Sequence, residues 1–384
     1  MSSGEEAELR RYDWLKGLSF GLIATAMTVG SASAQVTPAA GYTPPDDTPV
    51  IRVGATLFAN YSYQTEPEAT DAAGNSINRN SFEVARAYIN ITGNVSHIIA
   101  FRITPDVLRE SACPSATCSA AGNLIFRTKY AYLQTNLDDW MARGSYARFG
   151  IQQTPYLDSL ESIYRYRFQG TLFAERTNYF KSADAGASFR YNFPQNYGDL
   201  HVGVYNGENY DRPEPNDQKA TMFRATVRPL PTGAPILRGV KGTVYWVNDN
   251  YVKNSPRDRF MFNVTFEHPY VNAAFEYLDA KDQTLPTNPR VESSGYSIWL
   301  TPKMGPNSTG LEGLIRYDHL TPNESDLLES QKQNRLIVGA AYWFPHPGGA
   351  PTTAIMVDYD GQMFKNITAT KPTKVIAVHA LVNF

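Results

Sequence analysis

Little in this chain of 384 residues is available to build the commoner kinds of site: it has two cysteines, six histidines and a net charge of -2. The charge balance gives no reason to expect nucleic acid or an anionic membrane surface as a partner. The histidines (His97, His201, His268, His319, His346 and His379) are scattered, and none has an obvious serine or acidic partner at strand spacing. No nucleophile and base of an enzyme can be read from them. The cysteines, Cys113 and Cys118 in the run CPSATC, have no second pair of ligands nearby to complete a zinc site. Nothing calls for a metal or a cofactor. Past residue 34 no stretch is apolar for long enough to be a spanning helix, which excludes a helical membrane protein.

The amino terminus does carry an apolar run, and it reads as an export signal. Arg10, Arg11 and Lys16 precede the run from Gly17 to Gly30, and Ala32-Ser33-Ala34 supplies the small-x-small pattern of a cleavage site. Residues 1–34 are therefore expected to be a signal peptide, followed by a Pro-rich tether at 35–49. An exported chain meets an oxidising compartment, so Cys113 and Cys118 are expected to form a small loop disulfide.

Aromatic residues are plentiful, with 24 tyrosines and 19 phenylalanines, while glycine and proline are spread throughout. A strand presents alternate residues to opposite faces, and about sixteen segments of the chain alternate in this way. The last, TKVIAVHALVNF, puts Ile376, Val378, Ala380, Val382 and Phe384 on one side and His379 and Asn383 on the other. An even number of antiparallel strands, apolar outside and polar inside, is the pattern of a bacterial outer-membrane barrel. A mean hydropathy of -0.37 is compatible with it, because the lumen-facing half of each strand is polar. Residues 50–384 are thus expected to be one all-β domain, a transmembrane antiparallel β-barrel of about sixteen strands. Its last strand should pair with its first, leaving no edge in lipid.

The links between segments sort by length. Odd-numbered ones are mostly long (64–80, 105–123, 153–185, 206–220, 279–293 and 321–334) and even-numbered ones mostly short (93–96, 194–199, 268–270 and 345–351), with 229–238 and 302–310 less so. Outer loops and periplasmic turns produce this parity. The third outer loop, 153–185, is the longest and is rich in Leu, Tyr, Phe and Arg. A link of that length is normally functional, and this one is too aromatic to lie in water. It is expected to fold into the barrel as a constriction loop, which turns a hole into a filter.

Around this loop the sequence resembles a known family. Phe149-Gly150-Ile151-Gln152-Gln153-Thr154-Pro155-Tyr156-Leu157, then Leu172-Phe173-Ala174-Glu175-Arg176-Thr177, and later Val204-Tyr205-Asn206-Gly207 look like the phosphate-selective porin O and P family. There a strand ending in Gly-x-x-x-x-Pro-[Phe/Tyr] is followed by Phe-x-Glu-Arg-Ser and later by an Asn-Gly strand end. The resemblance extends, more weakly, over most of 51–384. It implies a sixteen-stranded trimeric barrel with its third loop folded inward. Thr177 stands where the family has Ser, and Gln152 and Gln153 where members often carry Phe-Lys.

If the apolar faces meet lipid, Arg86, Arg102, Arg148, Arg190, Arg224, Arg228 and Lys241 point into the lumen from the earlier strands, and Glu267, Glu276, Glu312, Asp318 and Asp358 from the later ones. The loop adds Arg165, Arg167, Glu175, Arg176 and Lys181. A lumen lined by cations concentrates anions, and guanidinium groups suit phosphate or carboxylate. The other reading of each arginine is a salt bridge pinning the loop to the wall, for example through Glu161 or Glu175. The functional expectation is an outer-membrane porin, not an enzyme, whose partners are small anionic solutes, outer-membrane lipid and two further copies of itself. A plugged structural or adhesive barrel is the alternative, and a barrel enzyme a more distant one.

Overall fold

In a computed structural model of the protein, sixteen strands hydrogen-bond in one closed antiparallel ring. The structure describes residues 47–109, 123–234, 236–306, 308–324, 331–346, 352–365 and 370–384. The expected signal peptide, most of the tether and the Cys113/Cys118 pair lie outside them.

The strands are β1 (Val50–Glu66), β2 (Asn80–Asn94), β3 (Ile99–Arg109), β4 (Leu124–Asn136), β5 (Tyr146–Gln153), β6 (Ala183–Asn192), β7 (Gly198–Tyr205) and β8 (Ala220–Val227) in the first half. The second half supplies β9 (Val240–Asn250), β10 (Pro256–His268), β11 (Val271–Asp282), β12 (Val291–Pro302), β13 (Gly310–Thr321), β14 (Gln333–Trp343), β15 (Ala354–Phe364) and β16 (Thr373–Asn383). Each corresponds to one alternating segment of the sequence, and each pairs with its neighbour in the chain. β16 then closes on β1, with Thr56 opposite Asn383 and Tyr61 opposite Val378. Beyond the last ladder residue, Ala55 and Phe384 exchange two further backbone bonds of 3.0 and 3.1 Å. Closure satisfies every strand edge, which a spanning sheet requires because lipid offers no hydrogen bonds.

Alternation sorts the side chains as expected. Leu57, Ile89, Phe260, Ile298, Ile315, Val357 and Val378 are exposed on the outside, while their neighbours Phe58, Tyr88, Met261, Trp299, Leu314, Met356 and His379 are buried inside. An apolar belt running around a whole molecule is not a water-facing surface; on a closed barrel it is the surface that meets outer-membrane lipid. No helix among the described residues is long and apolar enough to cross a membrane.

Three ladders slip by a residue, the β1–β16 seam between Gln64 and Glu66 and two others. Of these two, one sets Phe58 opposite Arg86 but Ala59 opposite Val84; the other sets Thr104 opposite Tyr130 but Pro105 opposite Thr128. The second leaves Lys129 as the extra residue of a bulge beside a proline that has no amide to contribute. Lys129 and Tyr130 are consequently both buried although adjacent, and Arg127 turns inward, where strict alternation from Tyr130 would face it to lipid.

Link parity holds only in the main: the short-series links 137–145 and 344–353 are longer than the long-series links 283–290 and 365–372, and two links depart further. The link 251–255 belongs to the long series but is a tight turn, closed by the Tyr251 amide on the Ser255 carbonyl at 3.0 Å with Asn254 at φ 64°. The link 228–239 belongs to the short series but is extended by a turn of 3-10 helix at Leu237–Gly239. Both termini of the barrel fall on the short-link rim.

At that rim His97, in the β2–β3 turn, sits between two carboxylates. Its Nδ1 lies 2.5 Å from Asp47, just before β1, and its Nε2 lies 3.0 Å from Asp139 in the β4–β5 link. Hydrogen bonding to the carboxylates raises the imidazole above its ordinary pKa, and hydrogen bonding to the ring lowers Asp47. A raised base stabilises at pH below its unfolded value and loses this as pH climbs through its folded value; a lowered acid loses its share as pH falls through its own folded value. Hydrogen exchange at residues 47–50 should therefore be slowest between those limits and speed up on either side. His97→Ala should be fast throughout. An equally flat profile for the unaltered protein would show that the clamp does not hold.

Candidate functional site: the inward loop and the facing wall

Between β5 and β6 the chain runs into the lumen. The loop (154–182) is slightly shorter than its sequence bounds, because β6 begins at Ala183. Its two ends are tied together, the Thr154 amide to the Ser182 carbonyl at 3.2 Å and the Thr154 hydroxyl to the Lys181 carbonyl at 2.7 Å. Pro155 then opens a short helix, α1 (Pro155–Glu161); its fixed φ and missing amide suit a first helical position. A second turn, α2 (Phe173–Arg176), ends where the Thr177 hydroxyl donates to the Phe173 carbonyl at 2.8 Å.

The loop's aromatics pack against the far wall. Tyr156 stacks on Tyr245 of β9 with ring centres 5.3 Å apart, Tyr164 meets Trp299 of β12 at 5.1 Å, and Phe168 meets Trp343 of β14 at 5.8 Å. Pairs of this kind add about 0.5–1.5 kcal/mol each beyond their burial. A buried loop must also satisfy its backbone, and wall side chains do so. Arg316 donates to the Thr171 carbonyl at 2.9 Å, Asn272 to that of Ile163 at 3.3 Å, and Arg259 to that of Tyr179. Two ion pairs complete the attachment: Arg165 with Glu312 at 2.8 Å, its guanidinium lying over Trp343, and Arg176 with Asp360 at 3.3 Å.

α1 is two-faced. Tyr156, Leu157 and Leu160 are buried, whereas Asp158 and Ser159 are half-buried and the following Ser162 is exposed. This second face looks away from the packed wall. Asp158 is close enough to act electrostatically on Arg148, Arg190 and Arg224 of β5, β6 and β8, and α1 itself runs past β8. Arg148 lies between the rings of Tyr132 and Tyr146, 4.8 and 3.9 Å from its guanidinium, and donates to Gln134 and Gln153. Arg190 and Arg224 share one carboxylate, Asp199.

Of the other residues singled out in the sequence, Arg228 and Lys241 meet Glu267, and Glu276 accepts from Tyr156 and Trp299. Asp318 pairs with Arg316, and Asp358 lies against His379. The rest fall into three groups. Arg102, fully buried, donates to Thr104 and Asn90 and lies over the Tyr130 ring. Arg86 pairs with the buried Asp106 at 3.1 Å, nearer the long-link rim. Within the loop Arg167 joins Glu161 at 2.8 Å and Glu175 at 3.2 Å, and Lys181 donates to Asn178 at 3.0 Å. Pinning through the loop's own acids thus stays inside the loop; the bridges to the wall run the other way, from loop arginines to wall carboxylates. Of the wall residues that seat the loop, Arg316 had a usable signal, since it alternates with Glu312, Leu314 and Asp318. Trp299, Trp343 and Asp360 had no signal beyond alternation.

No family model matches the chain, and neither does any curated protein sequence. Solved structures do match. OmpT of Vibrio cholerae lacking loop L8 is superimposable with a TM-score of 0.58 at 11% identity, over 88% of this chain and 100% of that one. The fold is that of the outer-membrane porins. An anion-selective porin from Comamonas acidovorans gives 0.58 at 10% identity over 88% of this chain and 100% of that one. The outer-membrane channel DcaP of Acinetobacter baumannii gives 0.58 at 11% identity over 90% and 99%.

Removing one partner of a buried ion pair costs about 3–5 kcal/mol, because the other charge is left behind. Glu312→Ala should therefore release the loop from the wall while the ring of strands persists. The expected outcome is protease cleavage within 154–182 in detergent-solubilised protein that still migrates as a folded barrel before boiling. A loop as resistant as the unaltered one would show that the Arg165–Glu312 pair does not hold it.

Proposed function

We propose that this protein is a porin of the outer membrane, passing small hydrophilic solutes between the polar face of α1 and the β5–β8 wall, with anions preferred. The observation that carries the proposal is the division of the loop into a packed aromatic face and a half-buried polar one. Opposite the polar face Arg190 keeps 30% of its side chain exposed, while Arg148 and Arg224 stand buried in the wall behind it. A loop meant only to fill the barrel has no need of such a face. Counting charges across the gap, Arg148, Arg190 and Arg224 stand with Asp199 on the wall, three positive against one negative, and Asp158 stands on the loop. The wall is the more strongly charged side, and its sign draws anions.

The resemblance to phosphate-selective porins adds phosphate-like oxyanions to the expected solutes. Two of the three resembling stretches meet near the root of the loop, at the ends of β5 and β7; the third, α2, lies against the far wall, where Arg176 pairs with Asp360 of β15. The substitution at Thr177 keeps the hydroxyl that closes α2. A trimer belongs to the same proposal, since one of the OmpT structures with this fold is described as a trimer form.

One observation favours a plugged barrel instead. At mid-height lumen-facing side chains are buried all round the ring, from Tyr88 and Arg102 through Arg224 and Glu276 to Trp343 and Leu381. Planar-bilayer recording separates the two. A porin gives discrete conductance steps, and in a KCl gradient its reversal potential should lie toward chloride; Asp158→Asn should move it further that way. An absence of steps favours the plug, and a cation preference would overturn the charge assignment.

A further inference from the structure

A second loop also enters the lumen. The β7–β8 link (206–219) turns at Gly207, whose φ of 94° is one that L side chains rarely adopt and where an added Cβ would stand 2.7 Å from the Asp249 carboxylate. Its root is held on both sides: the Gly207 amide donates to Asp184 at 2.9 Å, and its carbonyl accepts from Arg257 at 2.7 Å. Thus aimed, the chain carries Tyr210 inward. The Tyr210 amide donates to the Ala183 carbonyl at 3.2 Å, and its ring packs against Tyr130, Tyr132 and Ala183. Arg127 lies over that ring at 4.6 Å, donates to the Tyr210 hydroxyl at 2.6 Å and stands 3.6 Å from Asp211. The same guanidinium reaches Asp106 at 3.0 Å, where Arg86 arrives from the other side.

We propose that the β7–β8 loop is a second constriction, stacked on the long-link side of the first, and that Tyr210 is the specificity-determining residue through which it acts. This rests on the channel proposed above and adds a filter to it. The placement follows from topology: Arg127 lies near the start of β4, Asp106 near the end of β3 and Ala183 at the start of β6, all in the long-link third of the wall. Tyr210 narrows that third by its ring. By its hydroxyl it fixes Arg127 against Asp106, so that two guanidiniums, Arg86 with 27% and Arg127 with 22% of its side chain exposed, share one carboxylate at the edge of the vestibule. A small oxyanion would meet this pair, two positive charges against one negative, and a bulky solute would meet the Tyr210 ring.

The test is single-channel recording of the full-length protein and its Tyr210→Ala, Tyr210→Phe and Arg127→Gln variants, with neutral polyethylene glycols of increasing size added to one side at a time. Tyr210→Ala should raise conductance and admit larger polymers from the long-link side, with the size limit from the other side unchanged. Tyr210→Phe keeps the ring and should keep the size limit, while freeing Arg127 and shifting the reversal potential. Arg127→Gln unfastens the loop with the tyrosine in place and should raise conductance too, which decides the matter if Tyr210→Ala does not assemble. Unaltered conductance in both Tyr210→Ala and Arg127→Gln, or a change in size limit on the short-link side, would overturn the inference. Steps in the unaltered protein together with such a result would leave the channel standing, whereas a lack of steps in the unaltered protein would remove the channel itself.

Discussion

Every strand in this molecule has to hand its amides and carbonyls to a neighbour, because the surrounding hydrocarbon accepts none of them and each one left over costs several kcal/mol. The β1–β16 seam is where that requirement is met or fails. Ten residues of β1, from Thr56 to Glu66, take part in the seam ladder with one slip near its end, and the Ala55–Phe384 exchange extends it to the terminal residue. Closing sixteen strands fixes a wide interior, and a wide interior with one polar face must hold either water or more protein. The inward loop follows from that choice as much as from its own composition.

The same rule operates inside the lumen at smaller scale. A loop with only seven and four residues in helix cannot satisfy its own backbone, so the wall does it, through Arg316, Asn272 and Arg259. These polar residues therefore answer to the loop and not to a solute. The wall divides accordingly. From β9 to β15 it is a seat, built of tryptophan, tyrosine and carboxylates that take the loop's arginines; from β5 to β8 it faces the polar side of α1.

Alternation made the ring of strands legible, because lipid and water enforce it residue by residue along each segment. The loop was legible because its aromatics had nowhere else to go. What alternation could not show is where it is broken. Lys129 and Arg127 turn inward only because of the bulge beside Pro105, and no spacing in the run LIFRTKYAY announces that. Pairing was equally hidden. Asp199 and Asp106 each join two arginines, yet their partners come from other strands, so a wall that reads as a row of cations is a mixed one. Tyr210 lay in a link with no periodicity at all, and its position depends on Gly207 being aimed by Asp184 and Arg257 from two other strands.

The two glutamines that depart from the family pattern show how such local chemistry bears on the proposed channel. Gln153 accepts a hydrogen bond from Arg148 at 3.2 Å, and Gln152 bridges the Gly186 carbonyl and the Ser188 hydroxyl. A lysine at 153 could accept nothing and would set a second cation beside Arg148. With glutamine there, Arg148 is oriented by neutral amides and tyrosine rings, so its charge is held in place without being cancelled. Arg190 and Arg224, sharing Asp199, are held at the cost of half of theirs. Among these three Arg148 is the one no carboxylate bonds, and because it is buried between its tyrosine rings it would act on the proposed gap through its field and not by contact.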